Sequence, residues 1–209
     1  MNTIFRFCVL FTSFSLAHSF FGFQQIASRS LSTSITAATT TTTTTSLNMA
    51  AAEVKAGDTI PSLTLQEGLA DFGKKDVNIS ELIAGKKVVI FGVPGAFTPG
   101  CSKSHLPSFI SAKDELKEKG IDMVICIATN DLYVMEAWGR TSGGADADIT
   151  FLSDGSGELT EALGLTMETP MMPRTKRFSL IADDGVVTEY FSSADESSNT
   201  WAPAILAKL

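Results

Sequence analysis

The amino-acid sequence predicts an α/β fold with a mixed central β-sheet flanked by helices. Two apolar runs, residues 88–93 and 124–128, are typical of central strands buried on both faces. Helical segments alternate with these runs, and Asp184-Gly185 separates two later strand-like segments in the pattern of a β-hairpin. Alternating strands and helices followed by an antiparallel hairpin predict layers of helices on a mixed sheet.

The remaining elements are predicted from alternation, capping residues and terminal glycines. Residues 62–65 alternate between polar and apolar, which is a weak strand signal, and Asn78 is a favoured N-cap for a short helical turn. A long amphipathic helix is predicted from Cys101 to a stop at Gly120. The further predicted elements are a helix from Leu132 to Arg140 capped by Asp131, a strand over 149–152, a short helix over 157–163 ending at Gly164, hairpin strands over 177–182 and 186–191, and a closing helix over 199–209.

Charge is distributed unevenly along the 209 residues. All 23 acidic residues lie at or after Glu53, whereas only two of the 16 basic residues, Arg6 and Arg29, precede it. Residues 53–209 therefore carry a net charge of −9, which disfavours nucleic acids and anionic membranes as partners because both would repel this surface. The same residues are enough for one hydrophobic core, and the sequence contains no apolar run long enough to predict a membrane span.

The cysteine in the motif Thr98-Pro99-Gly100-Cys101 is the strongest candidate for chemistry. Threonine is a favoured N-cap and proline a favoured first helical residue, so Cys101 is expected at the third helical position. There its sulfur would lie near unpaired backbone N–H groups and the positive end of the helix dipole, which favours the nucleophilic thiolate. A small buried cysteine that only packs at a strand–helix junction is the alternative, and the cysteine alone does not exclude it.

The residues around this motif, 91–107, resemble the peroxidatic loop of peroxiredoxins. Pro94, Thr98 and Cys101 match the core pattern Pro-x-x-x-Thr-x-x-Cys, and the whole string is similar to the peroxiredoxin five subfamily, called type II in plants. The resemblance covers residues 53–209, with further similarity at Asn130-Asp131, Trp138-Gly139-Arg140 and Lys176-Arg177-Phe178-Ser179. It implies a thioredoxin fold and a thiol-dependent peroxidase that reduces hydrogen peroxide and alkyl hydroperoxides in antioxidant defence, without a bound cofactor.

The resemblance also implies roles for individual residues. Cys101 would be the peroxidatic nucleophile, oxidised to a sulfenic acid, and Thr98 would donate a hydrogen bond to the thiolate or bind the peroxide. Pro94 would shield the sulfur from water, and the backbone N–H groups of Gly100 and Cys101 would help to hold the peroxide. Arg177 would approach the cysteine, stabilise its thiolate and polarise the leaving oxygen.

Two other arginines, Arg174 and Arg140, are weaker site candidates, with surface or interface contacts as the alternative. His105 lies four residues after Cys101 and is expected to pack near the loop. Too few cysteine and histidine ligands are available for a tetrahedral zinc site, so no metal is predicted.

The sequence does not decide which thiol reduces the sulfenic acid of Cys101. Cys126 follows Cys101 by 25 residues, the spacing of the resolving cysteine assigned in plant type II enzymes. Its place between two isoleucines instead predicts a buried structural thiol, and a disulfide with Cys101 would require local unwinding. Residues 197–201, where many animal members carry a second cysteine, contain none. An external thiol, glutathione with glutaredoxin or thioredoxin, is the other route, and the resemblance implies at most a weak homodimer.

Residues 1–52 are predicted to be a cleaved two-part leader. Arg6, an apolar stretch and the small residues around Ala17-His18-Ser19 indicate a signal peptide over about residues 1–19. Residues 20–52 are rich in serine, threonine and alanine, contain no acidic residue and include seven consecutive threonines. This arrangement resembles the leaders of plastid proteins in algae with complex plastids. Secretion and a cytosolic form started at Met49 are the alternatives.

Two other functions remain open at this point. A thiol–disulfide oxidoreductase normally requires Cys-x-x-Cys, and Ser104 occupies the fourth position here. A non-enzymatic redox sensor would keep the fold and signal through oxidised Cys101.

Overall fold

A seven-stranded mixed sheet with helices on both faces forms the body of the molecule. The computed structural model describes residues 51–209. The strands are β1 (Thr64–Gly68), β2 (Lys74–Asn78), β3 (Lys87–Gly92), β4 (Met123–Ala128), β5 (Ile149–Ser153), β6 (Thr166–Met167), β7 (Arg174–Thr175), β8 (Phe178–Asp183) and β9 (Val186–Ser192). The helices are α1 (Ile79–Ile83), α2 (Leu106–Ser111), α3 (Lys113–Glu118), α4 (Leu132–Thr141), α5 (Glu158–Ala162) and α6 (Ala202–Leu206). A π-helical turn, Cys101–His105, leads into α2, and a 3-10 turn, Ser197–Thr200, precedes α6.

The strand order β2-β1-β5-β4-β3-β8-β9 places the two predicted apolar strands at the centre. Strands β3, β4 and β5 are parallel, whereas β8, β9, β1 and β2 pair antiparallel with their neighbours. In the central register Phe91 pairs with Cys126 on one side and with Ser179 on the other. The mixed sheet flanked by helices that the sequence predicts is confirmed.

Alternate residues of β3 contribute to separate hydrophobic cores on the two faces of the sheet. Val89 and Phe91 join the core that contains Cys101, Cys126 and Trp138. Val88 and Ile90 belong to the opposite core, which α1 and α5 help to build. Because strand side chains alternate between faces, this central strand supports the cysteine loop while its other face is also packed.

Most predicted boundaries are confirmed by local hydrogen bonds. The Asn78 side chain accepts from Ser80 and Glu81 N–H at the start of α1, and Asp131 accepts from Tyr133 N–H at the start of α4. Gly120 and Gly164 end their helices with positive φ angles, where glycine is favoured.

Three elements differ from the prediction, and the two-residue strands β6 and β7 have no counterpart in it. Strand β2 was not predicted, because its Lys-Lys-Asp start is exposed and only Val77 is buried, as is common at a sheet edge. The single helix expected from Cys101 to Gly120 begins with the π-helical turn and is interrupted at Ala112, and the closing helix begins only at Ala202.

The predicted leader lies outside the described residues, apart from Ala51 and Ala52. Between residues 51 and 209, no helix is both long enough and apolar enough to cross a bilayer.

Candidate active site

The loop Pro94–Thr98 joins the end of β3 to the helical segment that carries Cys101. Pro99 and Gly100 are helical, and the first helical hydrogen bond runs from Ser102 N–H to the Thr98 carbonyl (2.9 Å). Cys101 is therefore the third helical residue, as predicted. The Thr98 hydroxyl donates to the Gly95 carbonyl (2.9 Å), so a turn within the loop replaces the predicted side-chain cap.

Two distant side chains hold this loop in place. Asn130 Oδ1 accepts from Ala96 N–H (2.9 Å), and Arg174 Nη1 donates to the Pro94 carbonyl (3.1 Å). Gly95 leaves room for this contact, because a Cβ there would lie 2.7 Å from Arg174 Nη1. The sequence left Arg174 as a weaker site candidate or a surface or interface residue, and the structure shows that it tethers the loop.

Phe97 occupies the tip of the loop in a strained conformation. Its φ is +60°, in the left-handed region that bulky residues rarely adopt, and 56% of the residue is exposed. Its ring lies 6.5 Å from that of Trp138, whose indole N–H donates to Ser102 Oγ (3.1 Å). The loop therefore packs onto α4 and leaves part of the apolar Phe97 ring exposed.

Cys101 is fully buried at the base of the loop. Its carbonyl accepts from Leu106 N–H, five residues later, which defines the π-helical turn. Arg177, directly before β8, points a guanidinium nitrogen at the sulfur, with Nη2 3.2 Å from Sγ. The structure thus brings together two candidate residues that are 76 positions apart in sequence.

The Arg177 guanidinium is oriented by His105. Arg177 Nη1 lies 2.9 Å from His105 Nδ1, and His105 Nε2 lies 2.9 Å from the Thr200 carbonyl. A guanidinium can only donate, so Nδ1 is the acceptor and the proton sits on Nε2, which donates to Thr200. Only the neutral imidazole satisfies both contacts.

Burial keeps His105 in this neutral form. Desolvation first, and then the charge of Arg177, lower the pKa of His105 to about 3, while the Thr200 carbonyl acts in the opposite direction. The ring is wholly buried and contacts the rings of Phe91 and Phe109. The sequence analysis predicted that His105 packs near the loop but did not predict its contact with Arg177. The four-residue spacing between Cys101 and His105, which puts both on one helical face, was the available signal.

Gly100 and Pro94 both lie near Arg177. Gly100 is exposed, and a Cβ there would lie 3.2 Å from Arg177 Nη2. Pro94 is half-buried and lines, together with Arg177, a cavity of about 360 Å³. The cavity gives a small ligand access to Arg177.

Cys126 lies in the same core as Cys101, within the central strand β4. Its neighbours in the register are Phe91 and Phe151, and both cysteines are free thiols. Burial first, and then the charge of Cys101, raise the pKa of the Cys126 thiol well above its usual value.

The Arg140 side chain is exposed and pairs with Glu136 on α4 (2.8 Å), so it is not part of this site. In the part of the chain that the structure describes, no group of three or more histidine, cysteine or acidic side chains is arranged to hold a metal ion.

Comparison with known proteins connects this geometry to a family. Residues 55–204 match the protein family described as Redoxin. The chain is 46% identical over 185 residues to a rice protein (Oryza sativa subsp. japonica) named Peroxiredoxin-2E-2, chloroplastic, and the alignment covers 84% of this chain and 79% of the rice protein. The chain belongs to the peroxiredoxin family. It is also similar to two solved peroxiredoxin structures.

Reduced Prx3 from Vibrio vulnificus in complex with hydrogen peroxide gives a TM-score of 0.69 at 42% identity, covering 74% of this chain and 98% of that one. Peroxiredoxin 5 from Alvinella pompejana gives 0.65 at 32% identity, covering 74% and 96%. These similarities confirm the predicted thioredoxin fold.

Peroxiredoxins are thiol-dependent peroxidases that act on peroxides and use no prosthetic cofactor. The predicted enzyme class is therefore confirmed, in preference to a thiol–disulfide oxidoreductase or a non-enzymatic sensor.

Proposed function

We propose that Cys101 is the peroxidatic cysteine of this peroxiredoxin and that Pro94, Thr98, Gly100 and Arg177 form its peroxide-binding pocket. The observation that carries the proposal is the 3.2 Å contact between Arg177 Nη2 and Cys101 Sγ at the start of a helix. A permanent positive charge and the helix N-terminus both favour a sulfur anion over a neutral thiol.

In the peroxide step, the Cys101 thiolate attacks the terminal oxygen of the hydroperoxide. The S–O bond forms as the O–O bond breaks, the sulfur becomes a sulfenic acid, and the released alkoxide or hydroxide takes up a proton to leave as an alcohol or water. Arg177 stabilises the charge that moves from the sulfur to the leaving oxygen, because its guanidinium is already oriented by His105.

The loop supplies the remaining contacts to the peroxide. The Thr98 hydroxyl hydrogen is used by the Gly95 carbonyl, so its oxygen is available to accept from a hydroperoxide O–H. The N–H groups of Gly100 and Cys101 precede the first helical hydrogen bond, so the helix itself provides no acceptor for them and they can donate to the peroxide. Pro94, held through its carbonyl by Arg174, covers the sulfur.

Substitution of the sulfur tests this assignment. The variant Cys101→Ser should fold normally and lose rapid consumption of one equivalent of hydrogen peroxide, because a hydroxyl is far less acidic and less nucleophilic than a thiol. Ser104→Ala, on the same turn, is the matched control and should react like the parent chain. Rapid peroxide consumption by Cys101→Ser would show that another residue is the nucleophile.

We propose that an external thiol, glutathione with glutaredoxin, re-reduces the sulfenic acid, with thioredoxin as the alternative donor. Cys126 lies on β4, which is hydrogen-bonded to β3 on one side and to β5 on the other. The raised pKa of its thiol disfavours the thiolate needed for attack on the sulfenic sulfur. If Cys126 does resolve Cys101, the segment that moves should be the π-helical turn, whose hydrogen-bond geometry is less favourable than that of the sheet.

Delivery to a plastid, in an alga with complex plastids, completes the proposal. The Ser/Thr-rich composition of residues 20–52 and the word chloroplastic in the rice relative's name support it. A weak homodimer belongs to the same proposal, since the exposed ring of Phe97 is an apolar surface that a second copy would cover. Sedimentation at increasing protein concentration tests the dimer.

A further inference from the structure

We propose that Glu53, in the segment before β1, is a positioning residue for Arg177. Glu53 Oε2 lies 2.7 Å from the Nζ of Lys176, the residue directly before Arg177 in sequence. Glu53 Oε1 accepts a hydrogen bond from the Tyr190 hydroxyl (2.5 Å) on β9. The inference rests on the role proposed above for Arg177.

The segment that carries Glu53 is folded onto the body of the protein. Val54 is buried, and its N–H donates to the Leu163 carbonyl (2.9 Å). The backbone of Ala51 and Ala52 crosses Gly164 so closely that a Cβ there would lie 2.5–2.6 Å from their carbonyl oxygens. The Glu53 carboxylate is therefore placed by the Val54 hydrogen bond, which remains after the predicted removal of residues 1–52, and in the full chain also by Ala51 and Ala52.

Several contacts hold Lys176 and Arg177 in place, and the ion pair with Glu53 is one of them. Lys176 N–H donates to the Leu165 carbonyl (2.7 Å), its ammonium group also donates to the Gly164 carbonyl (3.3 Å), and Ser193 Oγ donates to the Arg177 carbonyl (2.8 Å). These contacts hold the backbone from which the Arg177 side chain reaches the Cys101 sulfur.

The Glu53 carboxylate is also close to the site in space. Glu53, Lys176, Pro94 and Arg177 line the same cavity of about 360 Å³. Hydrogen bonds from Lys176 first, and then from Tyr190, lower the pKa of Glu53, so the carboxylate is ionised at neutral pH. Without it, the Lys176 ammonium would lose its ionic partner and stand as an uncompensated second cation in the cavity that Arg177 lines, and the segment would have one anchor fewer.

Steady-state kinetics of the full chain, with hydrogen peroxide and dithiothreitol as substrates, tests the proposal. We expect Glu53→Ala to lower kcat/KM for peroxide at least threefold and to leave kcat/KM for dithiothreitol unchanged, because only the peroxide step uses the Arg177–Cys101 geometry. Lys176→Met should give the same result. The charge-swapped pair Glu53→Lys with Lys176→Glu should recover most of the lost rate.

Asp58→Asn is the matched control, since Asp58 lies on the same segment but pairs with Lys55 (2.8 Å). It should behave like the parent chain. Parental kinetics in Glu53→Ala, no recovery in the charge-swapped pair, or an equal fall in both kcat/KM values would overturn the inference, the last because it indicates loss of folded protein. Failure of the parent chain to consume peroxide would instead contradict the proposed active site.

Discussion

Arg177 donates to the neutral imidazole of His105 at 2.9 Å, and this contact orients the guanidinium toward the Cys101 sulfur. The direction of the bond requires His105 to be unprotonated at Nδ1, and burial satisfies that requirement. A buried histidine thereby holds an arginine without adding a second charge to the site.

Arg177→Gln should slow the reaction with hydrogen peroxide by about 10²–10³-fold, the usual effect of removing one donor to a developing negative charge. Arg177→Lys should recover little, because an ammonium cannot contact His105 and the sulfur with the same planar fork. Stopped-flow measurement of the second-order rate constant checks both variants. Arg140→Gln removes an exposed arginine paired with Glu136 and serves as control. A parental rate in Arg177→Gln would show that Arg177 takes no part in the peroxide step.

The pKa of His105 predicts acid sensitivity of the fold. It is about 3 in the folded chain and about 6.5 when unfolded, so between these pH values the unfolded chain binds a proton that the folded chain does not. The contribution of His105 to stability is complete above pH ~6.5 and is lost as the pH falls toward 3, by up to about 1.4 kcal/mol per pH unit.

Urea unfolding at pH 7, 6, 5 and 4 checks this prediction. His105→Gln, which cannot titrate in this range, should show a free energy of unfolding that falls less steeply with acid than that of the parent. Parallel pH dependence in the two proteins would show that His105 is not the group responsible.

Cys126→Ser should separate the two routes for re-reduction. We expect turnover with glutathione and glutaredoxin to persist, with a loss of about 1–3 kcal/mol in stability if the new hydroxyl finds no partner within β4. Mass spectrometry of the parent chain after one equivalent of peroxide should show Cys101 as a sulfenic acid or, with glutathione present, a mixed disulfide. A Cys101–Cys126 disulfide as the main product would favour the internal route.

The leader is testable with a fluorescent fusion of residues 1–52 expressed in an alga with complex plastids. We expect the fusion to enter the plastid. If entry depends on the phenylalanine that follows the signal peptide, the substitution Phe20→Asp should prevent it. Fluorescence in the medium would indicate secretion instead, and cytosolic fluorescence would indicate a start at Met49.

Features that depend on short stretches of sequence were predictable here. The apolar runs became β3 and β4, Asp184-Gly185 became the turn between β8 and β9, and Cys101 is the third helical residue. These follow from local burial patterns and capping, which leave their signal within a few residues.

Contacts between distant residues were not predictable in the same way. Arg174 and Pro94 are 80 residues apart, and His105 and Thr200 are 95 apart. Neither pair carries a local pattern, because each contact exists only after the sheet has brought its strands together. The resemblance located Arg177 beside Cys101, but the histidine that orients it became evident only from the folded chain.

The close approach of Ala51 and Ala52 to Gly164 has a consequence for maturation. A processing peptidase that cut after Glu53 would remove the carboxylate that pairs with Lys176, along with the backbone that crosses Gly164. If the leader is removed as proposed, a cut before Glu53 keeps this ion pair, so the packing of the folded domain sets the C-terminal limit for that cut. Heterogeneous trimming at this point would yield a mixture of enzymes with identical active-site residues and unequal rates.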